Sequence, residues 1–454
     1  MQRRALARTW RPTSRSSART SNFRNLSETI SRGAAVKVTH GIGDLDLVSI
    51  TAYRKTRTDL TLDQDSTALR LIDAPIYYRD RAFSQELQLL SKNNDRFQWI
   101  AGLYYTDLNI FYRLNLQGGA LAALGGRRDV SNDQPLNSYA GFAQATWSIG
   151  SAGHLTTGAR YTRDERKLDG QTLTGTGAVI PSTAPGKTTQ SEPTWRVAYD
   201  HRFSEQFMAY ASYNRGFKSG LYNMVNLAQP AVDPELVDAY EIGFKSDLLG
   251  GRLRLNGTAF YYDYQDLQVQ VVQAGITVLQ NAAEAESMGL ELELQAAPTN
   301  NLTLFAGLAY LDTEYKSFPN AQITTPPPPP LGGNIVTTGD VSGNDLVRAP
   351  NLSGSFAFDY RLPTSVGEWA LSGSYVHTGE FYWEPDNRRE QSSVGLVNGE
   401  FGWSSTDERW HLYVFGRNLT DEEYSQFTSG GQLGDQAAPA APRTYGIGID
   451  VTFK

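Results

Sequence analysis

The chain has 454 residues, a formal net charge of -7 and a pI near 5.4, a balance that argues against a nucleic-acid partner. It contains no cysteine, which excludes a disulfide framework and thiolate chemistry. With a mean hydropathy of -0.42 and no run of about 18 apolar residues, a transmembrane helix is excluded, whereas a membrane β-barrel is not, because its strands alternate apolar with polar residues.

The first 24 residues, "MQRRALARTWRPTSRSSARTSNFR", carry seven arginines, and no acid precedes Glu28. No apolar core of about 7–15 residues follows, so a secretory signal is not matched, and the weak twin-arginine pair Arg3-Arg4 lacks the same core. Residues 1–32 are therefore expected to be a basic disordered or mis-started segment, with the folded part spanning 33–454.

From residue 33 onward the chain reads as strands only. The first is "GAAVKVTH" (33–40). In "GRLRLNGTAFYYDYQDLQVQ" (251–270), Leu253, Leu255, Ala259 and Tyr261 alternate with Arg252, Arg254, Thr258 and Phe260. "MGLELELQAAP" sets Leu290, Leu292 and Leu294 against Glu291, Glu293 and Gln295, and "LSGSFAFDYRL" repeats the pattern. The chain ends on "TYGIGIDVTFK", where Tyr445, Ile447, Ile449, Val451 and Phe453 alternate with glycines and polar residues. Strict period two means a strand with one apolar and one polar or small face.

Short turns are predicted near 41–43, 92–95, 150–153, 203–205, 248–251, 298–301, 363–367 and 405–408. Long polar connections lie between them at 58–81, 113–136, 167–192, 216–236, 316–348, 379–392 and 424–441. One exception, near Gln273–Gly275, is short. Turns on one rim and long loops on the other are the pattern of an up-and-down outer-membrane barrel. A soluble sandwich has no reason to sort its connections by length. An arginine facing lipid at mid-bilayer costs roughly 2–4 kcal/mol. Arg252, Arg254, Glu291 and Glu293 are accordingly predicted to face the lumen, and the leucines between them the lipid. The last strand needs no cover because lipid covers it, and its edge is expected to pair with an early strand and close the ring. About 17 strands are counted, 16 if the first is discounted. An odd up-and-down set cannot close antiparallel, so either that segment is no strand or strands are missing.

Six stretches resemble, in order, the TonB-dependent outer-membrane receptors of Gram-negative bacteria. They are "YNRGFKSGLYN" (213–223), "LVDAYEIGFKSDLLGGRLRLNGTAFYYDYQDLQVQ" (236–270), "NAAEAESMGLELELQAAPTNNLTLFAGLAYLDTEY" (281–315), "RAPNLSGSFAFDY" (348–360), "GRNLTDEEY" (416–424) and "PRTYGIGIDVTFK" (442–454). "SITAYRKTR" (49–57) and "FSQELQLLS" (83–91) are similar to earlier strands of the same family. The resemblance implies a transmembrane antiparallel barrel, with 16–17 strands present of the family's 22, and a plug domain that is not visible here. It implies residence in the bacterial outer membrane and energy-coupled uptake of a siderophore, cobalamin, haem or glycan. The implied partners are outer-membrane lipid, the inner-membrane energy-coupling complex acting through the plug, the outer-membrane insertion machinery and a small-molecule or glycan ligand. The family ends on an aromatic residue that the insertion machinery recognises; here Tyr445 and Phe453 are the matching positions, and Lys454 follows.

No cofactor, metal or catalytic residue is assigned. The five histidines have no ligand spacing, "GGALAALGG" lacks the end of a phosphate loop, and no carboxylate pair sits in a motif. "PPPPP" (326–330) is read as a stiffener in a long loop. In "GRNLTDEEY", Asn418 is read as a turn former and Asp421 as bonding its own nearby backbone. Candidate ligand contacts are the loop residues Tyr222, Phe381, Tyr382, Trp383 and Arg388, because aromatics beside arginine stack on sugar or chelate rings. The leading expectation is a non-catalytic receptor barrel in N-terminally truncated form. The alternatives are a plugless diffusion pore and, third, a sugar-active enzyme or lectin on a soluble β-scaffold.

Overall fold

The computed structural model describes residues 25–453 except 65–67, 93–95, 185, 274–275 and 329. Residues 1–24, most of the 92–95 turn, the short connection after Gln273, one proline of the five-proline run and Lys454 lie outside this set. Among the described residues no helix is long and apolar enough to cross a membrane.

Among the described residues one 19-stranded antiparallel sheet dominates. Two of its members, Asp169–Thr174 and Val179–Pro181, are a loop hairpin laid on the upper part of a longer strand. The other seventeen form the wall: β1 (Leu26–Ile42), β2 (Leu45–Asp63), β3 (Asp73–Ser91), β4 (Phe97–Gln117), β5 (Arg127–Ile149), β6 (Gly153–Lys167), β7 (Lys187–Ser204), β8 (Phe207–Lys218) and β9 (Glu235–Leu248), then β10 (Leu253–Gln273), β11 (Ile276–Thr299), β12 (Leu302–Ser317), β13 (Leu352–Thr364), β14 (Gly367–Thr378), β15 (Val394–Ser404), β16 (Trp410–Arg417) and β17 (Thr444–Val451). Each pairs with its sequence neighbour, so the topology is up-and-down throughout. Short turns join the strands at the lower rim and long loops at the upper rim, apart from the short connection after Gln273.

Register makes one face continuous and apolar. Leu255, Gly257, Ala259 and Tyr261 stand opposite Leu294, Leu292, Leu290 and Met288, of which the first three face Ala306, Leu308 and Tyr310, and the band ends above them where Met288 meets Asp312. Leu290, Leu292 and Leu308 are exposed on that face. Its upper edge is a belt of tyrosine: Tyr53, Tyr105, Tyr139, Tyr161, Tyr213, Tyr240, Tyr261, Tyr310, Tyr375 and Tyr445. Rings on adjacent strands touch there, with centroids 5.2 Å apart for Tyr105–Tyr139 and 4.8 Å for Tyr213–Tyr240. The lower edge is Trp and Phe, with Phe97–Trp147 at 5.4 Å and Trp369–Trp403 at 6.5 Å. Paired aromatic girdles bounding an apolar band are what a lipid bilayer selects. The upper girdle takes ten of the 24 tyrosines of the sequence. The opposite face carries the charges, and loops fold onto it: the Asn132 amide donates to the Met224 carbonyl at 2.8 Å. The polar face is therefore the lumenal one.

The small residues of the last strand have a packing reason. Gly446 and Gly448 stand directly opposite Phe415 and Tyr413, and a Cβ on Gly446 would lie 2.8 Å from the Phe415 ring. The ring lies over its glycine, a cross-strand device that keeps register where no side chain is present.

Three sequence expectations change. First, β1 begins at Leu26, not Gly33, so 26–32 belong to the wall. One face is Ser27, Thr29 and Ser31, and the other mixes Leu26 and Ile30 with Glu28 and Arg32, which hides the alternation, yet hydroxyl contacts of 2.9 Å (Thr29–Thr58) and 3.3 Å (Ser31–Thr56) tie it to β2. Second, much of 58–81 and 113–136 is strand. β4, β5 and β11 run to 21, 23 and 24 residues, about twice the 9–11 that span a bilayer. Above the lipid the outward face is wet and loops cover the inward one, so Leu60, Leu62, Leu114 and Leu116 alternate on the opposite phase from the lipid-facing residues while the backbone ladder continues. Third, the ring does not close by hydrogen bonds: among the described residues β1 pairs only with β2, and β17 only with β16. Both strands run downward, so they cannot pair antiparallel. The wall nonetheless curls round, because the Gln436 side-chain amide, in the loop before β17, donates to the Gln64 carbonyl at the top of β2.

Two compact cores cap the upper rim. One packs Ala74, Tyr112, Leu114, Val130 and Leu168 with Tyr222 and Leu227; the other packs Val271, Ala285, Tyr315, Phe318 and Val341.

Candidate functional site

Over β13–β17, three loops (318–351, 379–393 and 418–443) converge on the lumenal face. Arg348 sits at φ 56°, and its backbone N–H donates to the Tyr382 carbonyl at 2.8 Å. That clamp places its guanidinium 5.1 Å from the centre of the Trp383 ring and 5.8 Å from that of Phe427. Phe381 meets Trp383 edge-on at 5.0 Å, and Trp383 meets Phe427 at 6.2 Å. Beneath this cluster lies a cavity of about 300 Å³ lined by Arg348, Val376, Thr378, Phe381, Trp383, Gln391, Val394, Leu396 and Tyr424–Gln426. Val376 and Leu396 are opposite neighbours on β14 and β15 that point inward. The Trp383 ring is buried, and its Nε1–H has no hydrogen-bond partner among the described residues. A cation, three aromatic rings, an unused N–H donor and apolar walls suit a flat, anionic or polar-rimmed ligand.

An ionic latch holds the cluster. Arg388 grips Asp435 with two hydrogen bonds of 2.7 and 2.6 Å. Arg389 pairs with Glu384 at 2.5 Å, and Glu384 in turn accepts from the Gly430 N–H at 2.7 Å. Asn334 adds a bond of 2.9 Å to Asp435. The Arg388 hydrogen bonds, with Asn334 and Arg389 in support, hold the Asp435 carboxyl down at about 2. A depressed carboxylate stabilises the folded arrangement above its free value and loses that contribution as pH falls. The 425–439 hairpin is accordingly expected to stay docked at pH 5 and to loosen as pH drops from about 4 toward about 2. Hydrogen exchange of the 425–439 amides across that range measures it; protection unchanged at pH 2 would remove the latch from the account.

The five candidates from sequence separate here. Phe381 and Trp383 line the cavity. Tyr382 contributes its carbonyl to Arg348 and is not a lining residue, and Arg388 is engaged by Asp435. Tyr222 is 0 % exposed in the core above β3–β5, so it packs and offers no surface to a ligand. The aromatic stretch 381–383 reads as a site in sequence, but only the fold separates lining from packing residues. Arg348, Gln391 and Tyr424 were missed; Arg348 opens "RAPN" and Tyr424 closes "GRNLTDEEY", both read only as family markers.

That second motif is structural. Asn418 and Asp421 have φ of 50° and 60°. The buried Asn418 side chain accepts from the Glu422 N–H at 2.8 Å and donates to the Glu422 carbonyl at 2.9 Å. The Asp421 N–H donates to the Asn418 carbonyl at 2.9 Å, but among the described residues its side chain takes no neighbouring backbone group; it accepts from the Arg443 N–H at 3.0 Å, closing the loop base just before β17. On β17, Tyr445 projects from the apolar face into the upper girdle, 79 % exposed, and Phe453 follows the strand at 83 %.

Over residues 2–419 the chain matches the family described as "TonB dependent receptor-like, beta-barrel". The pesticin receptor of Yersinia enterocolitica is 21 % identical over 328 residues, which are 70 % of this chain and 44 % of that protein. The ferric yersiniabactin uptake receptor FyuA from Yersinia pestis superposes with a TM-score of 0.81 at 17 % identity, covering 95 % of this chain and 62 % of that one. The siderophore receptor PiuA from Acinetobacter baumannii gives 0.75 at 16 %, covering 94 % and 65 %. The chain thus spans less than half the length of that curated relative. Inside-out faces, girdles, loops sorted by rim and this match agree, and the chain belongs to the TonB-dependent receptor-like β-barrel family of Gram-negative outer membranes.

Proposed function

We propose that the chain is most of the barrel wall of a receptor that captures a scarce nutrient at the cell surface and passes it inward, without catalysis. The carrying observation is the cavity beneath Arg348, Trp383 and Phe381 at the lumenal mouth. Its mixture of one cation, edge-to-face rings and apolar walls suits a metal chelate of the siderophore class better than a glycan, which would call for more hydrogen-bonding groups than Thr378, Gln391, Tyr424, Ser425 and Gln426 supply. Uptake against a gradient is proposed to be driven from the inner membrane through a plug domain. The two free edges support completion of the wall by further strands. Because β1 and β17 run the same way, an odd number is needed to close the ring, and five would satisfy both parity and the family's strand count.

Trp383→Ala is expected to weaken binding of ferric chelates at least tenfold, without loss of folded barrel on semi-native gels. Quenching of tryptophan fluorescence during titration with a panel of ferric siderophores would follow it in the Phe381→Tyr and Arg348→Ala variants as well. Uptake of labelled chelate that continues after the proton gradient is collapsed, together with a large constant conductance in planar bilayers, would instead establish the passive pore.

A further inference from the structure

The three loops that converge on the cavity are strongly acidic. Residues 318–351, 379–393 and 418–443 hold ten carboxylates and four arginines, hence a net charge of -6. Three of those arginines are engaged: Arg388 with Asp435, Arg389 with Glu384, and Arg443 with Asp421. The other seven carboxylates have no ion pair among the described residues. Three of them, Glu380, Glu390 and Glu423, are exposed, and each adjoins a cavity-lining residue in the chain: Phe381, Gln391 and Tyr424. Arg348 is the one charged residue that lines the cavity. Among the described residues it has no ion pair, and its guanidinium lies over the Trp383 and Phe427 rings. Arg417, at the top of β16, lies against Phe415 and is not part of the lining.

Two fields therefore act at different ranges. At contact, Arg348 and the Trp383 Nε1–H are donors, and they call for an oxygen edge on the ligand. Beyond contact, the uncompensated carboxylates set the potential over this part of the mouth, and a surface of one sign concentrates ligands of the other. A chelate with several negative charges would cross that repulsive field to reach a single guanidinium. A chelate that is neutral or positive overall, with oxygens along one edge, satisfies both ranges. We propose that the cargo is a ferric chelate of zero or positive net charge, with an oxygen edge turned to Arg348, and that Glu380, Glu390 and Glu423 determine this charge specificity. The inference rests on the uptake reading and narrows it from metal chelates in general to those that are not anionic overall.

The test uses the full chain in a non-ionic detergent and three ferric chelates. The first is a linear trihydroxamate carrying one ammonium group, the second is the same molecule N-acetylated and so neutral, and the third is a tris-catecholate with three negative charges. Isothermal titration at about 10 mM salt, where the screening length is about 30 Å, is expected to rank their affinities in that order. The ammonium form should bind about threefold or more tighter than its acetylated twin, and about tenfold or more tighter than the tris-catecholate. At about 1 M salt the screening length falls to about 3 Å, and the gap between the twins should close. The triple variant Glu380→Gln, Glu390→Gln, Glu423→Gln should bring the ammonium form down to the affinity of the acetylated one at low salt. Arg348→Gln should weaken both twins while the ammonium form stays ahead. Glu205→Gln with Glu408→Gln, in two lower-rim turns, should behave as the parent. A tris-catecholate that binds as tightly as the ammonium form, or a triple variant that keeps the ammonium preference, would overturn the proposal and leave the receptor reading standing. Binding by none of these chelates, nor by any ferric siderophore of the wider panel, would remove the receptor reading and this inference with it.

Discussion

Leu292→Arg is expected to destabilise the wall by roughly 2–4 kcal/mol, the cost of an arginine facing lipid at mid-bilayer. Leu292 lies in the central row of the apolar face, opposite Gly257 and Leu308. Its neighbour Glu293 points the other way, opposite Asn256 and Gly307. Glu293→Gln should therefore change stability by less than about 0.5 kcal/mol, the usual range for a substitution away from any packed feature. Guanidinium unfolding of each variant in phosphatidylcholine bilayers compares the two. Were Glu293→Gln the more damaging, or the two equal, the inside-out assignment would be wrong. A soluble sheet with the leucine face as its packed core would also be damaged most by Leu292→Arg, so the same pair is compared without lipid. An inside-out wall is expected to lose its folded state when the bilayer or detergent is removed, whereas a soluble sheet keeps it.

The second large effect concerns the free edges. Within lipid, each backbone N–H or C=O without a partner costs several kcal/mol. In β1, alternate residues direct these groups toward β2 and toward the open side. Hydrogen exchange of this chain in micelles should therefore show period-two protection along Leu26–Ile42, with every second amide slow. β2, paired on both sides with β1 and β3, should be protected at nearly every residue. Uniform protection of β1 would mean that its edge has found a partner, through ring closure with β17 or through a second copy, and the open-wall description would fail. Supplying strands that fill the gap should convert the alternating pattern to a uniform one.

What could be read from the residues was whatever depends on period two and on the price of placing charge in lipid. Arg252 and Arg254 fixed the orientation of Leu253 and Leu255, and the same logic carried through Glu291 and Glu293 on the next strand. The parity problem was also visible, because counting strands needs only their alternation. The stretches above the bilayer were harder to read: in 58–63 Leu60 and Leu62 alternate on the inward, loop-covered face, opposite in phase to the lipid-facing residues below, and from Arg127 to Gln134 only Val130 is apolar. Site residues were less legible still. Tyr222 and Trp383 are both aromatic residues on long loops, yet one fills a core and the other lines a cavity.

The sequence by itself determined the membrane-spanning architecture, its inner and outer faces and its two rims, because alternation and girdle aromatics are local consequences of a bilayer on one side and water on the other. Only the tertiary structure decided where the ladders end, that among the described residues β1 pairs only with β2 and β17 only with β16, and that three loops bring Arg348 onto Trp383. Each of these depends on register between segments distant in the chain. Register is set by the summed backbone pairing of whole strands, which no short stretch of residues records.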